Sequence, residues 1–145
     1  SNCALVEYPN LTRKEIEELG QRALKETEAA VRNFLKRKVG RQLIAILLGK
    51  PDEPNFPRAD SYLYKGVKLN EWEMLKIHDC YLSARIIDQL RYYEKGVDKQ
   101  VARNWLMSPC SHLEDHAPIC AIRDGRSYGH LCALGAAKTF VLWKD

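Results

Sequence analysis

Apolar residues recur along the chain at three- and four-residue steps, and no stretch shows the two-residue alternation of a half-buried strand. The pattern predicts an all-α protein. Its first element opens at Thr12, whose hydroxyl can accept from the third helical N–H while Glu15 reaches back, a capping-box spacing. Beyond it Ile16, Leu19, Ala23, Ala30, Val31, Phe34 and Leu35 fall on one stripe with charge opposite, which predicts one long amphipathic helix. Gly20 weakens it locally without breaking it. Residues 39–48 are apolar on nearly every side after Arg41, as suits a short buried helix ending at Gly49. Pro51, Pro54 and Pro57 then impose an irregular connection.

A short helix over 58–65 is expected to precede Gly66, and a second long one to run over 71–91. Trp72, Leu75, Ile77 or His78, Leu82, Ile86 and Leu90 supply its inner face, and Gly96 or its neighbours end it. The helix carrying Trp105 stops before Pro109, because proline lacks the N–H donor and restricts the residue preceding it. Pro118 opens the next helix at its first turn, with Asp115 or His116 in the approach, and Gly125 supplies the positive φ of a C-cap. The last helix, over 131–141, carries Ala133, Gly135, Ala136 and Ala137, small enough for another backbone to approach closely. The chain thus divides into an N-terminal helical extension (1–38), a middle region with a core helix (39–96) and a small C-terminal helical module (97–145).

Composition narrows the class without naming a function. At 145 residues the chain is one domain, or two small helical subdomains sharing a core. With 46% hydrophobic and 29% charged residues, it has the make-up of a globular protein and not of a disordered one. A net charge of +4 permits an anionic partner without demanding one. The five cysteines are odd in number and follow no signal-peptide pattern, which points to reduced thiols and a cytoplasmic protein. The apolar run Leu43–Gly49 is too short to span a bilayer. Arg32, Lys36, Arg37, Lys38 and Arg41 make one end of the first helix basic. They read as cations opposing a helix macrodipole, with a phosphate-facing patch as the alternative.

Three groups of residues carry candidate chemistry. Cys110, His112, His116 and Cys120 offer two Cys/His pairs that could converge on zinc, but the tight Cys-x-x-Cys knuckle of structural sites is absent, and no metal is expected. Cys80, Cys120 and Cys132 fit apolar helix positions as small core residues. Catalysis would need Cys110 paired with His112 or His116. Glu114 and Asp115 are adjacent and do not share a helix face. Nucleophile elbow, P-loop and glycine-rich fingerprint are all missing, so neither an enzyme nor a cofactor is expected. Trp105 and Met107 read either as core residues at a helix end or as anchors for a partner. Phe140, Val141 and Trp143 form either an exposed sticky tail or the completion of a core or dimer interface.

The order Trp105-Leu106-Met107-Ser108-Pro109, then Leu113-Glu114-Asp115-His116-x-Pro118, then Ile122-Arg123-Asp124-Gly125, then Ala136-Ala137-x-x-Phe140 resembles the toxin-binding domain of the Xre/MbcA/ParS antitoxin family. Members of that family neutralise RES-domain toxins, enzymes that consume NAD. The resemblance implies a toxin-binding surface from Trp105, Met107, Arg123, Asp124, Gly125, Phe140, Val141 and Trp143, with the tail lying against the toxin's NAD pocket. Cutting the chain after Thr139 should then abolish neutralisation and leave the helices intact. Residues 39–45, Tyr64-Lys65-Gly66, residues 73–77 and Tyr81 look like the family's helix-turn-helix and core helix. That half implies operator DNA as a second partner, read by Arg58, Ser61, Tyr62, Tyr64 and Lys65. The proline-rich connection departs from a turn of about three or four residues, and Asp52, Glu53 and Asp60 place negative charge beside the presumed DNA face. The alternative function is a DNA-binding regulator without a toxin. Such regulators usually pair by two-fold symmetry, and the N-terminal stripe serves either a homodimer interface or its own domain.

Overall fold

The computed structural model describes residues 12–49, 68–125 and 129–143. These residues are all-α: α1 (Arg13–Ala23), α2 (Glu28–Lys38), α3 (Arg41–Leu48), α4 (Glu71–Asp88), α5 (Leu90–Tyr93), α6 (Val101–Met107), α7 (Pro118–Asp124) and α8 (Gly129–Trp143), with a single 3-10 turn at Ser111–Leu113. The only β-type pairing among them is an isolated bridge between Cys110 and His116. No helix among them is long and apolar enough to cross a membrane.

The expected single N-terminal helix is two. Thr12 caps α1 as its spacing predicts, accepting from the Glu15 N–H at 3.2 Å. The chain then turns at Leu24 and Lys25, and an extended Thr27 caps α2 by accepting from the Ala30 N–H at 3.2 Å. Between Ala23 and Ala30 the inward positions fall to Glu26 and Thr27, which give a continuous helix nothing to bury. The break lets both helices turn their apolar faces onto α4 of the same chain. Ile16, Ala23, Val31, Phe34 and Leu35 are all buried there. Phe34 meets Tyr81 of α4 edge-on, with centroids 5.3 Å apart, and the Arg85 guanidinium lies 5.3 Å from the Phe34 centroid.

α3 follows the expected course: its apolar residues are buried except Ile46, and Gly49 closes it at φ +66. α4 is the hub. Asn70 and Glu73 form a reciprocal capping box that starts it. From Ile77 onward α4 is buried on most sides, with α1, α2, α3, α6, α7 and above all α8 packed around it. A helix so enclosed has no single inner stripe, and here the sequence-based expectation needs correcting. Ile77, Ile86 and Leu90 lie inside, but Trp72 is 52% exposed and Leu75 63%, because the first turns of α4 project beyond the core.

α8 packs against α4, and its small residues Ala133, Ala136 and Ala137 are all buried in the core. Gly135 is different: it faces outward, and a Cβ on it would meet nothing. Lys138 reaches Glu17 of α1 at 2.6 Å, joining the two ends of the described chain. Residues from all three sequence stretches enter one continuous apolar core.

Candidate functional site

The module from α6 to α8 is built by a few backbone constraints. The Asp98 carboxylate accepts from the Gln100 N–H at 2.6 Å and leads into α6. α6 ends where Ser108 turns extended (φ −92, ψ 141) ahead of Pro109, as the steric demand of proline requires. Trp105 is buried and its ring packs against Phe140 of α8, centroids 6.4 Å apart. Met107, two residues further and so on the opposite side of the helix, is 46% exposed.

The loop between α6 and α7 folds back on itself. The Cys110 N–H donates to the His116 carbonyl at 3.1 Å, and the Cys110 carbonyl accepts from Leu113 and Asp115, each at 2.9 Å. Leu113 is buried beneath it. Glu114 (φ +56) and Asp115 (φ +62) sit at the apex in the left-handed region, and the His116 N–H closes the turn onto the Leu113 carbonyl at 3.0 Å. Two consecutive positive φ values define a type I′ turn, a conformation normally taken by Asn and Gly.

Backbone hydrogen bonds therefore link Cys110 to His116. Cys110 is buried, His112 is exposed and Cys120 is half-buried on α7. Among the described residues no group of three or more His, Cys, Asp and Glu side chains could hold a metal ion. Cys80 is a core residue of α4, as its apolar position suggests: burial, reinforced by the Asp79 charge, pushes its thiol far above the ordinary range. Such a thiol stays protonated and unreactive.

Pro118 is the first residue of α7, and Gly125 ends it at φ +55, with its N–H on the Ile122 carbonyl at 3.1 Å. Ala117 occupies the N-cap without a side-chain bond, so neither Asp115 nor His116 caps the helix. At the other end, Arg123 Nε donates to Asp124 Oδ1 at 2.8 Å, with both side chains partly exposed. That hydrogen bond favours the charged guanidinium and raises the Arg123 pKa.

The residues expected to contact a partner therefore separate. Met107, Arg123, Asp124 and Gly125 reach the surface, and Phe140 is half-buried. Trp105 and Val141 are buried in this chain's own core; Val141 is fully enclosed and Leu142 nearly so, so neither residue forms a free apolar tail. The side chain of Trp143 lies outside the described residues, as do Arg58, Ser61, Tyr62, Tyr64 and Lys65. Of the basic cluster, Arg32 pairs with Glu28 at 3.1 Å and Lys38 lies 3.7 Å from Asp88.

Sequence reasoning missed a further surface feature. Trp72 and Leu75 stand exposed at the start of α4, and the Trp72 indole lies against Gly125. The available signal was their polar surroundings: Glu71, Glu73, Lys76 and His78 leave no apolar sector for the two to share with a core. No family model matches the chain, and no curated protein or solved structure matches it either.

Proposed function

We propose that this protein is an antitoxin-like regulator that binds and occludes a RES-domain, NAD-consuming toxin. One observation supports this reading most. The residues that carry the resemblance act as a set in shaping the module: Pro109 ends α6, Pro118 starts α7, Gly125 ends α7, and Trp105 meets Phe140 across the module. Among the described residues expected to meet the toxin, Met107 and the Arg123–Asp124–Gly125 end of α7 are the ones that reach the surface. Occlusion works by covering the toxin's pocket and requires no chemistry from this chain.

Co-expression with the protein encoded beside its gene tests the proposal. A RES-domain neighbour should co-purify and lose its NAD consumption, and Met107→Glu and Arg123→Glu should each weaken the complex while preserving the helical spectrum. A complex indifferent to both substitutions places the contact elsewhere; a RES-domain neighbour that neither binds nor is inhibited removes the reading. The alternative, a DNA-binding regulator without a toxin, draws on the region over 39–96 with residues 58–65 as its reading segment. It predicts salt-dependent operator binding that weakens in Arg58→Ala or Lys65→Ala; within the separate basic cluster towards the end of α2, Arg32 and Lys38 are already paired with Glu28 and Asp88.

A further inference from the structure

We infer that Trp72 is the positioning residue for the Arg123–Asp124–Gly125 end of α7. Its functional meaning rests on the partner-binding reading above; its structural part rests on packing alone. Gly125 sits at φ +55, a conformation that Asn also adopts, so backbone geometry by itself does not demand glycine. Space does. A Cβ on Gly125 would overlap Cζ2 and Cη2 of Trp72 and meet Cε2 at 3.5 Å, so the benzo edge of the indole rests on bare backbone.

Trp72 comes from the first turn of α4, far from Gly125 in sequence, and Lys76 holds its Nζ 5.3 Å from the centre of the same ring. The indole thus spans from the hub helix to the last residue of α7. Among the described residues its backbone is also held by its N–H on the Ile122 carbonyl. Arg123 and Asp124, bonded to each other immediately before it, take their height above the surface from where this backbone is pinned. Because the indole is half-exposed and outside the core, losing it loosens the turn without emptying the interior.

The test is a cycle of Trp72→Ala, Gly125→Asn and the double variant, read by amide hydrogen exchange over residues 122–125. Asn keeps the left-handed conformation but drives the indole away. Each single substitution should therefore lower protection of the residue-125 amide several-fold relative to its intrinsic exchange rate, and the double variant should be no less protected than Trp72→Ala alone. Unchanged exchange in Trp72→Ala, or two effects that add in full, overturns the positioning role whatever happens to binding. In the second arm, Trp72→Ala should weaken binding of the RES-domain protein encoded beside the gene, and Trp72→Phe should recover part of it. Faster exchange with unaltered affinity upholds the positioning role and takes this turn out of the partner surface.

Discussion

Ser83 lies fully buried in the middle of α4, and its hydroxyl finds no hydrogen-bond partner among the described residues. A buried polar atom left unpaired costs roughly 1–3 kcal/mol, and alanine is also the better helix former. Ser83→Ala should therefore raise stability by about 1 kcal/mol, seen as a higher denaturant midpoint at unchanged slope. A lower midpoint would mean that the hydroxyl is bonded in solution. Asp88, also buried on α4, contrasts with it. Its Oδ1 lies 3.5 Å from Arg91 and 3.7 Å from Lys38, within ion-pair reach but without a hydrogen bond. Two basic residues are thus held in place by one enclosed carboxylate.

At the scale of elements, the features legible in the sequence were those set by one residue's backbone chemistry. Gly49, Pro109, Pro118 and Gly125 each end or begin a helix where expected, because proline and positive-φ glycine constrain the chain whatever surrounds them. The break at residues 24–27 was hidden, since Thr27 is followed at the third helical position by Ala30, leaving no capping-box acid to announce it. Trp72 and Leu75 were misplaced for another reason: they lie in the first turns of α4, which project beyond the core, and the enclosed remainder of the helix carries no single stripe against which to place them. The α6–α7 loop yields a prediction of its own. Glu114 occupies a left-handed position that costs a side-chain-bearing residue about 1–2 kcal/mol, partly offset in a glycine variant by the larger entropy of its unfolded chain. Glu114→Gly should gain up to about 1 kcal/mol, measurable as a higher melting temperature. A loss would show that the glutamate side chain supports the turn.

Across the whole molecule, the end of α8 belongs to the core, which changes what a truncation tests. Ending the chain at Thr139 removes Val141 and Leu142, each worth roughly 1.5–3 kcal/mol of burial, and with them the Phe140–Trp105 contact. Domains of this size have net stabilities of about 5–15 kcal/mol, so the truncated chain should lose most of its cooperative melting transition. Retention of the full transition would show that these residues contribute little to the core. The C-terminal surface was only half legible for the same reason: a run of apolar residues close to the end of a chain looks alike whether it covers its own core or seeks a partner. The enclosure of α4 also bears on biosynthesis. The hub helix leaves the ribosome well before α8, its most extensive neighbour, exists. Until α8 emerges, the nascent chain shows chaperones and proteases the apolar flank that the finished protein keeps closed.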